Sequence, residues 1–410
     1  MSELHIALPD NVRVILDTLH AAGFEGYIVG GCVRDALRGV EPHDYDVTTN
    51  ALPSDTMRIF RDFRVIETGI KHGTVTVISD NFPIEITTFR IDGEYRDNRH
   101  PDCVSFTSRL ADDLERRDFT VNAMAYSPQH GLVDLFGGVD HLADRVITCV
   151  GSPDLRFNED GLRIMRALRF ASVLDFSIEA DTARAIFDHR LLLRGISRER
   201  IFSELIRLLC GTAAGRVVGA FAEVLCVIIP ELTPDNITAA ADTFSHCPPL
   251  PALRLALLLH PLSSYSAIRT LRELRCDNHT VKAVSALLGS CDRPLSDDRI
   301  CARRLAHDFG FELGFMLLEL HLALLRSQNA DCSALEHLSA LLGRVRDDGD
   351  CISLSSLAVR GNDLIAAGLS GCAVGRALEH LLDMVICDRI PNEREALLGA
   401  VDALDIGEQL

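Results

Sequence analysis

Two carboxylates one residue apart, Asp44 and Asp46 in His43-Asp44-Tyr45-Asp46-Val47, follow closely on Tyr27-Ile28-Val29-Gly30-Gly31-Cys32-Val33-Arg34-Asp35. Apolar Tyr27 to Val29 predict a short buried strand, Gly30-Gly31 a turn where backbone can approach a ligand, and Cys32 to Arg38 a helix. Tyr45 to Thr49, apolar and β-branched, predict a second strand. Side chains at i and i+2 share a strand face, so Asp44 and Asp46 point together. Such a pair repels itself unless something neutralises it. Oxygen ligands at this density suit magnesium, which keeps several waters and takes one or two carboxylates plus substrate phosphates. The glycine turn presents amides at a helix start, where anions bind. Taken alone, a D-x-D pair could equally end a solvated strand; the glycines upstream favour phosphate and metal chemistry.

GGCVRD followed by DYD resembles the signature of the nucleotidyltransferase superfamily, in the branch of bacterial class II tRNA CCA-adding enzymes and poly(A) polymerases. It is not a P-loop, because no G-K-[ST] follows. The resemblance implies that Asp44 and Asp46 hold magnesium and that Gly31 and Arg34 hold a triphosphate. Glu85, in Pro83-Ile84-Glu85-Ile86-Thr87, is a charge inside an apolar strand. Alternation puts it on the face opposite Ile84 and Ile86, whether that face meets solvent or a metal. In related enzymes an acid here completes a carboxylate trio. Arg90 to Pro101 is polar and glycine-containing, as a mobile loop would be. It resembles the flexible loop of CCA-adding and A-adding enzymes, which enzymes adding only the two cytidines lack.

Glu115-Arg116-Arg117-Asp118-Phe119-Thr120-Val121-Asn122-Ala123 resembles the family's R-R-D-F-T-x-N-A. That likeness places Arg117 against nucleotide phosphates or ribose, and Asp118 as acceptor from a ribose hydroxyl, which favours ribonucleotides. The plainer alternative is a surface helix on which the arginines pair with Asp112, Asp113 and Glu115.

Asn158 to Phe170 (NEDGLRIMRALRF) resembles the family's E-D-x-x-R and the arginines after it. Read as one helix, it puts Asp160 and Arg163 at i and i+3 on one face, where a surface ion pair is the bland alternative. An aspartate accepting from an exocyclic amine beside an arginine donating to a ring nitrogen matches cytosine and adenine. Guanine and uracil present the opposite order. One protein pair then accepts C and A and rejects G and U, at roughly 1–3 kcal/mol per bidentate pair. Helical steps leave Arg166 bordering the Asp160 face and Arg169 nearly opposite it; the resemblance assigns both to the nucleotide pocket.

These residues need elements to position them. Residues 1–150 alternate short strand and helix patterns, with strands expected at Arg64 to Ile70, Thr74 to Ser79 and Pro83 to Phe89 and a tight Asp80-Asn81 turn. This is a small α+β domain, which the resemblance makes a nucleotidyltransferase head with a small mixed sheet. From Gly151 helical periodicity runs to the end, an all-α region. Prolines 248, 249, 251 and 261 mark a break near 245, and Asp347-Asp348-Gly349-Asp350 a second. In family terms these are head 1–150, neck 151–245, body 246–346 and tail 347–410.

The chain has 410 residues and a net charge of −18. That acidity is the strongest objection from composition to a protein that handles RNA, but it does not decide the matter, because phosphate binding depends on local patches. Thirteen cysteines without a C-x-x-C pair or a neighbouring histidine set exclude a disulfide framework or structural zinc, leaving reduced packing residues. No apolar run is long enough for a membrane span and no signal pattern precedes the first helix, so a cytoplasmic protein is expected. His307-Asp308 lacks the companions of an H…HD…D phosphohydrolase module.

The combined expectation is magnesium-dependent transfer of C and A from CTP and ATP to the 3′ end of tRNA, with release of pyrophosphate. An A-adding enzyme or a poly(A) polymerase shares every motif. The poly(A) reading is disfavoured by the acidic Asp402, Asp405 and Glu408 where a basic tail often stands. An inactive RNA-binding protein on the same fold is the alternative from another class, and a homodimer is left open.

Overall fold

The computed structural model describes residues 6–92 and 104–403. The chain divides into two compact units, Met1–Thr238 and Ala239–Leu410. The first begins with helix α1 (Asp10–Ala21) and strand β1 (Gly26–Val29), then α2 (Gly31–Leu37), β2 (Asp46–Thr49) and α3 (Pro53–Ile59). Strands β3 (Arg64–Gly69), β4 (Thr74–Ser79) and β5 (Phe82–Thr88) follow, then a small pair, β6 (Arg90–Asp92) with β7 (Val104–Phe106). Helix α4 (Leu110–Glu115), β8 (Met124–Ser127), β9 (Gly131–Asp134) and α5 (Gly138–Ala143) complete the α+β part.

Seven strands form one sheet in the order β3-β4-β5-β2-β1-β8-β9. It is mixed, because β2 runs parallel to β5 whereas its other pairings are antiparallel. The three expected strands occur with their ends shifted by a residue: β3 stops at Gly69 and β5 starts at Phe82. Between β4 and β5, Asp80 and Asn81 both take positive φ, 49° and 64°, the geometry that closes a two-residue hairpin along the strands' natural twist. The loop expected over Arg90 to Pro101 lies outside the described residues beyond Asp92, and its three described residues are strand.

Alternation along the strands sorts side chains by face. Val47, Val75, Val77, Ile84, Ile86 and Ile28 point one way, into a core closed by Val12, Ile15, Leu16 and Leu19 of α1 and Val33 of α2. Burying such side chains contributes roughly 1.5–3 kcal/mol each. Their neighbours point the other way and build the site described below.

After α5 the first unit is helical apart from one short parallel pair, Val146–Ile147 with Ser177–Ile178: α6 (Pro153–Glu159), α7 (Leu162–Leu174), α8 (Ala180–His189) and α9 (Arg198–Leu209), with further helices beyond. The second unit is all helix by element order. The long helix Arg299–Ser327 bends at Gly310, whose φ of 72° only glycine adopts without strain. The helix Ser333–Asp347 ends at the expected Asp-Asp-Gly-Asp break, where Gly349 has φ 67° and Asp350 accepts hydrogen bonds from Arg299 and Arg303. The division between the units falls after Thr238, short of the proline cluster that suggested 245. No helix among the described residues is long and apolar enough to cross a membrane.

Candidate active site

The face of the sheet opposite the core is polar where β2, β5 and β4 adjoin. Asp46 stands opposite Glu85, and Thr48 opposite Thr87, in the β2–β5 ladder; β4 adds Thr76 and Thr74 beside them. Asp44 lies just before β2, close enough for its charge to act on Asp46. Although solvent reaches Asp46, lost hydration and then repulsion from Glu85 and Asp44 push its pKa up to about 6, against the pull of Arg117. The negative charge here is therefore unbalanced, and the donors are all hard carboxylate oxygens. That is the chemistry of a site for a divalent cation that keeps water and takes substrate oxygens. No group of three His, Cys, Asp or Glu among the described residues forms a ready metal cage, at this place or near His307 and Asp308. Those two residues bond elsewhere, His307 to the Ile352 carbonyl and Asp308 to Arg293.

The glycine pair lies beside this face. Gly30, just ahead of α2, has φ 83° and ψ −129°, a conformation essentially reserved for glycine. A Cβ there would also meet Nη1 of Arg117 at 3.1 Å. Arg117 thus sits over the Gly30 turn and within electrostatic reach of Asp46, with Nη2 on Asp113 at 3.3 Å. Arg34, expected among the triphosphate ligands, is buried on α2 with its donors engaged. Nε and Nη2 bond Asp35 at 2.9 and 2.8 Å, and Nη1 bonds Asn122 at 2.8 Å.

Asn122 carries the chain of contacts onward by donating to Asp118. Asp118 also accepts from the Phe119 amide at 2.8 Å and from Arg166 at 2.7 Å. Its burial would raise its pKa, but Arg166 and Arg163 outweigh that and hold it down to about 2. The guanidiniums of Arg34, Arg166 and Arg169 all lie over the Phe170 ring, at 5.3, 5.4 and 4.0 Å from its centre. Helix α7 therefore brings Arg169 to the same place as Arg166, joined there by an arginine from α2. Arg169 also faces buried Glu204 of α9 at 3.0 Å, and burial brings its pKa down to about 10.

The geometry around Asp160 corrects the single-helix reading of NEDGLRIMRALRF. Asp160 is extended, with φ −141° and ψ 104°, between the end of α6 and the start of α7. Its Oδ1 accepts from the Leu162 amide at 3.0 Å, so it stands just ahead of α7 instead of lying on it. Its Oδ2 accepts from Arg200 of α9 at 2.8 Å. Arg163 does not pair with Asp160: it reaches Glu159 at 2.5 Å and the Arg116 carbonyl at 2.8 Å. The reason is local. The backbone turns extended at Asp160 and returns to helical geometry at Gly161, so angular offsets counted from Asp160 along one continuous helix lose their origin.

The structure thus brings Asp44, Asp46, Glu85, Gly30, Gly31 and Arg117 to one place. Through Asn122 and Phe170 it links Arg34, Asp118, Arg166 and Arg169 in another cluster, with Asp160 near enough to act on Arg166. Sequence reasoning missed Asn122 as a bridge, together with Arg200, Glu204 and Phe170. Glu204 had a signal: it stands on the stripe of α9 formed by buried Ile201, Leu205 and Leu208, where an acid needs a partner.

Residues 26–148 match the poly A polymerase head domain, 175–234 the RNA and SrmB-binding site of polymerase A, and 252–401 the tRNA nucleotidyltransferase domain 2. The CCA-adding enzyme of Pediococcus pentosaceus is 34% identical over 96% of this chain and 98% of its own. That of Lacticaseibacillus paracasei is 37% identical over 94% of each. The solved Bacillus stearothermophilus CCA-adding enzyme in complex with CTP superimposes with a TM-score of 0.79 at 30% identity, over 96% of each chain. The Thermotoga maritima CCA-adding enzyme complexed with tRNA CCA, 21% identical, shares the fold with a TM-score of 0.71 over 97% of this chain and 96% of that one.

Proposed function

The chain belongs to the family of CCA-adding enzymes, and from that premise we propose that it transfers C and A from CTP and ATP to the 3′ end of tRNA, releasing pyrophosphate. The observation that supports this most directly is the meeting of Asp44, Asp46 and Glu85 on a polar sheet face beside Gly30 and Arg117. That arrangement suits nucleotidyl transfer, in which a hydroxyl attacks an α-phosphorus in line with the departing pyrophosphate.

Asp44 and Asp46 would hold magnesium, with Glu85 as the third carboxylate of the set. A divalent ion bound there lowers the pKa of the attacking hydroxyl and neutralises the triphosphate. Arg117, above the Gly30-Gly31 turn, places a positive charge where the phosphates come closest to the backbone. Arg34 acts behind it: bonded to Asp35 and Asn122, it fixes the start of α2 against the Asp118 segment. Asp118, ionised and held by Arg166, keeps an oriented carboxylate near the sugar. Asp160 and Arg163 read the base edge and Arg166 and Arg169 border it, with Asp160 aimed by Arg200 and Arg163 by Glu159. Within the helical remainder, 151–245 is read as neck, 246–346 as body and 347–410 as tail, the latter two holding the acceptor arm by shape and phosphate contacts.

The test is incubation of the purified chain and magnesium with tRNA transcripts lacking CCA, lacking CA and lacking only the terminal A, given CTP and ATP singly and together. Completion of CCA on every transcript, with no further extension, is expected. Extension by A alone, or a run of A, would replace this reading with an A-adding or poly(A) activity.

A further inference from the structure

Asp113 is fully buried on α4, and its carboxylate faces donors from two directions. Arg116 donates through Nε at 3.0 Å and Nη2 at 2.7 Å, and Arg117 through Nη2 at 3.3 Å. From the sheet, the Thr48 hydroxyl lies 3.2 Å from Oδ2. A lone buried carboxylate is costly, and two guanidiniums make this one tolerable as an ion. Burial alone would raise the Asp113 pKa, and the two arginines outweigh it and bring it below its ordinary value.

The partners matter more than the burial. Thr48 is two residues along β2 from Asp46 and shares its face, so Asp113 is anchored to the strand that presents the metal carboxylate. On its other side Asp113 grips Arg117, whose Nη1 lies against the Gly30 turn while Nε is buried without a hydrogen-bond partner. Among the described residues, Asp113 is the one acid in hydrogen-bonding contact with the Arg117 guanidinium. Without it a long side chain with several rotatable bonds would have to be ordered by the incoming nucleotide, at a cost paid on binding.

We propose that Asp113 is a positioning residue for nucleotide binding. It sets Arg117 over the phosphate turn in fixed register with Asp46, and its effect is felt equally with CTP and ATP. This rests on the reading of Arg117 as a phosphate contact, and it gives the Asp113 ion pair a purpose beyond closing a helix.

The experiment is a double-mutant cycle on the full chain, Asp113→Asn, Arg117→Ala and both, measuring KM and kcat for CTP and for ATP on matching tRNA transcripts. Folding is checked by circular dichroism and melting. Asp113→Asn should raise KM about tenfold for both nucleotides, with a smaller change in kcat, and the double variant should be no worse than Arg117→Ala. A purely structural Asp113 would instead multiply with Arg117→Ala, which overturns the proposal alone. Arg117→Ala without effect on KM would overturn the reading of Arg117 beneath it. Should Asp113→Asn fail to fold, Thr48→Val, which removes the hydroxyl lying between Asp113 and the Thr87 carbonyl, takes its place. A rise in KM that vanishes in the Arg117→Ala background supports the proposal, and an unchanged KM overturns it.

Discussion

Asp46 and Glu85 stand directly opposite each other on the one parallel strand pair of the sheet, with Thr48 and Thr87 opposite each other two residues further on. Because strand side chains alternate, the same register that buries Val47 against Ile86 must bring these two carboxylates together on the other face. Like charges so placed destabilise the ladder locally, and that repulsion adds to the lost hydration that raises the pKa of Asp46. Such a pair makes chemical sense where a cation resolves it.

From that relationship, Asp46→Asn should lower nucleotide transfer by roughly 10³-fold, the equivalent of several kcal/mol of charge stabilisation, with little change in melting temperature. Glu85→Gln should retain activity but need more magnesium for half-maximal rate. Titration of rate against magnesium for both variants checks this; identical magnesium curves for wild type and Glu85→Gln would remove Glu85 from the metal set.

The tie between Asp160 and Arg200 predicts that base choice depends on a residue outside the recognised motif. Arg200→Ala should increase misincorporation of U or G relative to C and A by about tenfold, approaching the effect of Asp160→Ala, because one change releases the carboxylate from its partner and the other removes it. The readout is the ratio of kcat/KM values for CTP and UTP. Unchanged ratios in both variants would dismiss Asp160 as a base reader.

Asp118 supplies a stability prediction with a definite sign. Its folded pKa, about 2, lies below its unfolded value, so its ionised pairing stabilises the fold above pH 4 and is lost as pH falls towards 2. That difference corresponds to about 2 kcal/mol at neutral pH. Asp118→Asn should therefore melt lower than wild type at pH 7, and the gap should shrink by about half at pH 3. A gap independent of pH would mean that the Arg166 pair contributes nothing through charge.

Gly30→Ala should cost about 1–3 kcal/mol from backbone strain. It should also raise nucleotide KM, since the new methyl group meets Arg117 Nη1. Thermal melting and nucleotide titration separate the two effects. A melting loss with unchanged KM would show that Arg117 can yield without consequence.

Cysteine reactivity offers a check on the fold itself. Burial pushes the thiols of Cys32 and Cys149 up to about 11 and about 12, and the twelve described cysteines are all free. Alkylation at pH 8 followed by mass mapping should label exposed Cys372 and spare these two until the protein is unfolded.

Much of this protein is legible one residue at a time. The strands β1, β2, β4 and β5, the helix after the glycine pair and the shared face of Asp46 and Glu85 follow from alternation and from glycine chemistry, which act over a few residues. The reading of Asn158 to Phe170 failed at one point, because the helical pattern continued through Asp160 while the backbone turned extended there.

The sequence by itself determined which chemical groups are present and, through periods of 2 and 3.6, which neighbours share a face. Only the tertiary structure decided how the polar groups pair: Arg34 with Asn122, Thr48 with Asp113, Arg166 with Asp118 and Asp160 with Arg200, partners 88, 65, 48 and 40 residues apart. Such choices follow from packing. Several arginines and acids compete within reach of one another, and the pairing that leaves the fewest buried charges unmatched depends on where whole helices settle, which no local pattern encodes.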